Sequence, residues 1–418
     1  MGLFEIFSVS LLIIAVFGTI NYHLLKLPST IGLLVISLST SFSIIAIDEL
    51  APNLGVGITV RSAIAGVDFY ETLMTLFLSF LLFAGALHVD LEQLLKRRAA
   101  IALMASLGVL ISTLVAGYGF YLITGATLMT ALVFGALISP TDPVAVMGLL
   151  KTVKVPKSLE VKIGGESLFN DGIGVVVFAT LVAIAFPGAG ENGGLDTSVS
   201  GIGLFLLQEA GGGAVLGLIG GWIAYQMLKK IDDYVLEVII TLALVAGTYS
   251  LARPLHASGP IAVVVAGLLI GNHGVRFGMS GKTREHVLNF WHLLDEVLNA
   301  LLFTFIGFEV LVMDIQPAYL VAGLLTIPVV LAGRVLAVAT PLKLILYKQS
   351  FTKGAVAVMT WGGLRGGISV ALALSLPDVP DKDMIVVATY VAVVFSVLVQ
   401  GTTIKWVIGK LVTPEQQA

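Results

Sequence analysis

Residues 127–150 read TLMTALVFGALISPTDPVAVMGLL. The stretch is apolar and long enough to cross a bilayer core of about 30 Å as a helix. Its middle, Ser139-Pro140-Thr141-Asp142-Pro143, cannot continue as one. Each proline biases the residue before it away from helical geometry, so Ser139 and Asp142 are pushed toward extended backbone. Lipid hydrogen-bonds nothing, so a helix is interrupted at such a depth only where its freed amides and carbonyls line a polar cavity. This segment therefore predicts a membrane-spanning helix broken at a site.

Composition extends that reading to the whole chain. Of 418 residues, 57% are hydrophobic and only 12% charged, too few charges to cover a water-soluble surface of this size. Apolar runs without strict alternation predict helices rather than a barrel. Thirteen spans are expected, at roughly 3–21, 29–48, 71–89, 98–122, 127–150, 159–187, 201–228, 234–252, 259–274, 286–313, 317–346, 353–376 and 383–410. The opening stretch, MGLFEIFSVSLLIIAVFGTIN, lacks a basic flank and a small-residue cleavage site, so it reads as a retained first span. If the loops alternate sides, eighteen of the 23 Lys and Arg residues fall on one side and three (Arg61, Arg253, Lys382) on the other. Arg334 and Arg365 fall within spans. The positive-inside rule then puts the C-terminus in the cytoplasm and the N-terminus outside.

A second break, Gly362-Gly363-Leu364-Arg365-Gly366-Gly367, stands in the twelfth span, 221 residues after Thr141. LLFAGALHVDL at 81–91 resembles LLFTFIGFEVL at 301–311, 220 residues on and exiting to the opposite side. Thirteen spans can thus hold two inverted six-helix repeats, each with a discontinuous crossing helix. That arrangement points to a midplane substrate site.

Ionisable groups inside the membrane are costly and mark pathways or pairs. They are Asp142, Glu166, Asp171, Glu209, Asp295, Glu296, Glu309, Arg334 and Arg365, with Glu5 near an edge. The densest group is GESLFNDG at 165–172. Ser167 and Asp171 share one helix face, Glu166 and Asn170 the adjoining one. Hydroxyl, carboxylate and amide oxygens in this density suit a small dehydrated cation. The broken backbone adds carbonyls, that of Thr141 included. Asp142 either ligates, directly or through water, or caps the half-helix that follows.

Together SPTDPVAV at 139–146, GESLFNDGIGVVVF at 165–178 and GGLRGGISVALAL at 362–374 resemble the monovalent cation/proton antiporter family. The branch is that of bacterial NhaP proteins and animal sodium/proton exchangers. The resemblance spans nearly the whole chain and implies an all-α polytopic membrane protein with the NhaA/NhaP-like fold. It implies exchange of Na⁺, or of Li⁺ or K⁺, for H⁺ by alternating access, with no cofactor and no enzymatic reaction. It also implies that Asp171 binds cation and proton in turn, with Asp142, Ser167 and the Thr141 carbonyl as further Na⁺ contacts and Asn170 orienting the site. Glu166 would form a structural ion pair with an arginine that matches Arg334. Arg365 matches a second family arginine of gating or structural importance. A related electrogenic branch has a second aspartate at the Asn170 position, so asparagine there implies electroneutral exchange of one Na⁺ per H⁺. By analogy 98–190 and 317–418 form a moving core, and 1–97 and 191–316 a scaffold that carries a homodimer interface. The sequence ends soon after Lys410, so the long regulatory tail of animal exchangers is not expected.

Other readings fare worse. A channel would need a filter resembling TVGYG, which is absent. A sodium-coupled symporter for organic anions fits poorly with three clustered carboxylates. An intramembrane hydrolase lacks HExxH and GxGD. No Walker lysine follows the glycines at 211–213, 217, 220 and 221, which read as helix-packing positions. The net charge of −3 argues against nucleic acid as a partner, leaving ions and membrane lipids, and the absence of cysteine excludes thiolate metal sites. Asp295 or Glu296 could line a cytoplasmic funnel, Glu309 and Glu209 read as interfacial, and the six histidines read as ordinary helix-end residues.

Overall fold

The computed structural model describes residues 3–51, 77–142, 157–187, 198–345 and 354–411. Among these residues the regular structure is helical throughout, with no strand. Several expectations fall outside them: residues 71–76 of the third span, Pro143 with the half-helix to 150, and the basic residues Arg61, Lys151, Lys154, Lys348 and Lys353.

Chain order begins with α1 (Leu3–Ile20, continued by a wider turn Asn21–Leu25), α2 (Ser29–Leu50), α3 (Leu78–Leu87) and the short α4 (Leu91–Lys96). Next come α5 (Arg98–Thr124), α6 (Leu128–Leu137), α7 (Lys157–Ala185), α8 (Val199–Leu228) and α9 (Tyr234–Ala252). Then follow α10 (Gly259–Leu269, continued to Gly278), α11 (Gly281–Glu309) and α12 (Pro317–Thr340, continued to Ile345). The chain closes with α13 (Ala355–Trp361), α14 (Gly367–Leu374), α15 (Lys382–Phe395, continued to Gln400) and α16 (Gly401–Leu411). Ten helices among the described residues are long and apolar enough to cross a membrane, and α3 and α6 are shorter apolar pieces.

Helix starts follow capping chemistry that apolar periodicity does not reveal. α11 begins five residues before the expected 286 because the Ser280 hydroxyl accepts from the Thr283 amide at 3.3 Å. Ser198 caps α8 in the same way through Gly201 N at 3.1 Å. Asp233 caps α9 through the amides of Val235 and Leu236.

The helices pack in two groups. α5 lies along α6 and α12, α7 rests on α5 and α6, and α12 is backed by α15. In the other group α8 packs on α10, α10 on α3, and α11 on α2 and α3, with α9 against α8, α10 and α11. The second group centres on Trp291, which is fully buried, donates from Nε1 to Thr241 Oγ1 at 3.0 Å and lies against the Phe83 ring at 4.6 Å. On α8 the glycines allow the close approach expected of them: a methyl group on Gly213 would stand 2.6 Å from the Ser258 carbonyl oxygen. α7 joins the groups through α10 and α8, and α14 through α11 and α6.

Candidate ion site

α6 ends at Leu137, and Ser139 to Asp142 follow without helical structure. α13 ends at Trp361, and α14 resumes only at Gly367. The two interruptions meet: the Asp142 amide donates to the Leu364 carbonyl at 2.8 Å. Each break frees backbone carbonyls at the negative end of a half-helix, and each receives an arginine. Arg365 Nη1 donates to the carbonyls of Ser139 (2.6 Å) and Pro140 (2.9 Å), while its own amide donates to Ser396 Oγ at 2.9 Å. Arg334, from α12, donates from Nε and Nη2 to the Met359 carbonyl at 3.3 and 3.1 Å. The same guanidinium grips Glu166 of α7 in a two-pronged pair, Nη1 to Oε1 and Nη2 to Oε2, the latter at 2.9 Å. All three charged side chains are buried.

α7 presents the remaining polar groups. Asn170 Nδ2 donates to Thr141 Oγ1 at 2.7 Å, and the Thr141 amide donates back to Asn170 Oδ1 at 3.3 Å. The Ser167 hydroxyl lies 3.1 Å from Thr141 Oγ1. Thr141, fully buried, is thus held by side chains one turn apart on α7. A hydroxyl pair from Thr113 and Ser139, 3.2 Å apart, anchors the α6 end to α5. Asp171 is 5% exposed, and its Oδ1 has no hydrogen-bond partner among the described residues. Asp142 lies within its electrostatic reach.

Chemically, the crossing gathers two carboxylates, two hydroxyls and an amide in a buried space that also carries two arginines. Arg334 is committed to Glu166 and the Met359 carbonyl and Arg365 Nη1 to two carbonyls, while Arg365 Nη2 and Asp171 Oδ1 have no hydrogen-bond partner among the described residues. A buried carboxylate with an unpartnered oxygen is costly as an anion, so the Asp171 side chain is suited to hold a proton or a cation. Among the described residues no group of three or more His, Cys, Asp or Glu side chains could hold a metal ion. A cation here would therefore rely on hydroxyl or carbonyl oxygens as well as the carboxylates.

Gly366 closes the site on its far side. A methyl group there would run into the Cβ and carboxylate of Asp142. Gly366→Ala should cost about 1–3 kcal/mol by overpacking and slow transport by displacing Asp142. Thermal unfolding and flux measured on the same preparation check this, and an unchanged flux contradicts it.

Some intramembrane charges sit otherwise than the sequence implied. Glu309 was expected at an interface, yet it is buried near Tyr390, whose hydroxyl donates to the Ile306 carbonyl at 2.8 Å as α15 covers this end of α11. Lys162, counted with a loop, lies buried on α7 one turn before Glu166. Asp295 is half-buried and accepts from Asn299 Nδ2, while Glu296 is exposed. Glu209 is half-buried on α8 near His256. Glu237, fully buried in the first turn of α9 beside Thr283, escaped the sequence reading, because a carboxylate at a helix start looks like an ordinary dipole partner.

Residues 11–410 match the family described as "Sodium/hydrogen exchanger, transmembrane". The chain is 45% identical over 395 residues to the Na⁺/H⁺ antiporter NhaP of Pseudomonas aeruginosa, covering 92% of this chain and 91% of that protein. It is 34% identical to the Na⁺/H⁺ antiporter NhaH of Halobacillus dabanensis, covering 98% and 99% of the two chains. Among solved structures, the sodium proton antiporter MjNhaP1 of Methanocaldococcus jannaschii matches with a TM-score of 0.76 over 98% of this chain and 99% of that one. At 21% identity this last likeness speaks for the fold.

Proposed function

The chain belongs to the sodium/hydrogen exchanger family and is an integral-membrane sodium/proton antiporter; from that premise we propose that Na⁺ and H⁺ compete for Asp171. The observation that carries this reading is the buried Asp171 carboxylate with an unpartnered oxygen, beside Asp142, where the chain leaving α6 meets the break between α13 and α14. Protonated, it has no charge to offer a cation. With Na⁺ bound, the cation's charge opposes protonation. Either occupied form is close to neutral and can pass a hydrophobic barrier, while the empty carboxylate is held back by its desolvation cost. Ser167, the Thr141 carbonyl and Asp142 complete the Na⁺ shell in this proposal. Asn170 positions Thr141 and cannot take up a proton. One exchanging carboxylate then gives one Na⁺ per H⁺, an electroneutral cycle.

The packing supports a division of labour. The group built on α5, α6, α7, α12 and α15, joined by α13 and α14, carries the residues of the site and supports a core at 98–190 and 317–418. The group around α8 to α11 with α1 to α3 supplies the scaffold at 1–97 and 191–316. We further propose thirteen crossings in two inverted repeats, a homodimer through the scaffold, and a bacterial or archaeal cytoplasmic membrane with the N-terminus outside and the C-terminus in the cytoplasm.

The stoichiometry is tested on wild-type protein in liposomes that contain a pH dye, with the membrane potential clamped while Na⁺, Li⁺ or K⁺ is added. The expected result is a Na⁺-driven pH change that is indifferent to voltage. Voltage-dependent exchange overturns one-for-one coupling. A response to K⁺ in place of Na⁺ overturns the choice of cation.

A further inference from the structure

Away from the ion site, a cleft of about 700 Å³ opens between α12, α13 and α16, with Val335, Leu342, Ala357, Trp361 and Trp406 among its walls and Lys343 at its edge. The walls are apolar, and the rim is cationic. The exposed Lys410 places its ammonium 4.9 Å from the centre of the Trp406 ring, and the exposed Lys405 precedes that tryptophan. No Asp or Glu stands between Asp314 and Asp378, or between Asp383 and Glu415. The helices that form the cleft therefore bring positive charge to this end and no carboxylate to neutralise it.

Two further details distinguish the cleft from an ordinary lipid-facing groove. Trp361 is fixed as a wall, because its Nε1 donates to Thr403 Oγ1 at 2.8 Å. Thr360, 7% exposed, also lines the cleft, and its buried hydroxyl has no hydrogen-bond partner among the described residues. A helical threonine ordinarily returns its hydroxyl to a carbonyl one turn back. Here it does not, although the protein encloses the hydroxyl.

We propose that this cleft binds an anionic glycerophospholipid, with an acyl chain between α12, α13 and α16 and the phosphate at Lys343 and Lys410. An apolar cavity excludes water and accepts hydrocarbon. Basic residues at the membrane surface select anionic headgroups, and tryptophan rings settle at headgroup depth. The ligand would touch the transport machinery from behind. Val335 follows Arg334, and Thr360 and Trp361 directly precede the α13 break. Occupancy would therefore stiffen α13, whose Met359 carbonyl Arg334 holds.

The test is retention of lipid by the purified, delipidated protein, counted by native mass spectrometry. Phosphatidylglycerol, phosphatidylcholine of the same chains and soluble glycerol phosphate are supplied in turn. Phosphatidylglycerol should be retained about five-fold more than phosphatidylcholine, the worth of roughly one lysine at an anionic surface. The preference should shrink in Lys343→Ala and vanish when Lys410→Ala is added, and Ala357→Phe should displace the chain. Should Ala357→Phe fail to fold, quenching of wild-type tryptophan fluorescence by brominated phosphatidylglycerol, weakened in Lys343→Ala, replaces it. Equal retention of the two lipids overturns the proposal, as does undiminished phosphatidylglycerol retention in the variants. Binding of glycerol phosphate at the same level overturns it too, because it would indicate a surface anion site without a chain. None of these readouts depends on ion exchange.

Discussion

Replacing Asp171 by asparagine is expected to reduce cation-driven proton movement to the level of protein-free liposomes while the protein still folds. The reasons are local. Asp171 Oδ1 makes no hydrogen bond among the described residues, so the amide gives up no known contact there. Removing a buried charge also relieves a desolvation penalty, and the melting temperature in detergent should hold or rise. What disappears is the ability to carry either a proton or Na⁺. Ser167, Thr141 and Asp142 stay in place, so a contact role alone would leave weakened exchange with a poorer apparent affinity. Retained exchange at high Na⁺ would thus remove Asp171 from the coupling step. A fall in melting temperature would point to a structural role instead.

Arg334→Ala should do the opposite, damaging the fold before the chemistry. It strands Glu166, fully buried on α7, and withdraws both hydrogen bonds from the Met359 carbonyl at the end of α13. Breaking a buried pair by removing one partner costs about 3–5 kcal/mol. Lower yield and a clearly lower melting temperature are the expected results, with exchange impaired as a consequence. Arg334→Lys keeps the charge but not the planar fork that serves Glu166 and Met359 together, so it should fall between wild type and alanine. Exchanging both partners for apolar residues, Glu166→Leu with Arg334→Met, should restore part of the lost stability, because no buried charge is then left alone. Wild-type yield and melting in Arg334→Ala would show that Glu166 draws its stabilisation from elsewhere.

Much of this was legible in the residues. Apolar run lengths announced membrane-spanning helices, ten of which stand among the described residues, and the two breaks announced where α6 and α13 end. Spacing of three and four residues placed Ser167, Asn170 and Asp171 on neighbouring faces of one helix. Prolines at 140 and 143 required extended backbone at Ser139 and Asp142, and the structure has Ser139 to Asp142 outside any helix. Helix starts were less legible. Ser280 and Ser198 act through one hydrogen bond each, which a polar flanking stretch conceals.

What the sequence determined by itself were properties carried by nearest neighbours along the chain: membrane residence, helical class, the positions of the breaks and the composition of the polar cluster. Lipid leaves the backbone one local way to satisfy its hydrogen bonds, so these follow from short stretches alone. Only the tertiary structure decided which distant groups answer one another. Glu166 and Arg334 are 168 residues apart, and Arg365 and Ser139 are 226 apart. Either arginine could have neutralised Glu166 on charge grounds. The choice fell to Arg334 because α12 brings it to α7 and α13 together, while α14 begins where Arg365 meets the carbonyls at the end of α6. The burial of Glu309 and Glu237 was decided in the same way. Desolvation depends on what packs over a side chain from other helices, and the chain around it does not carry that information.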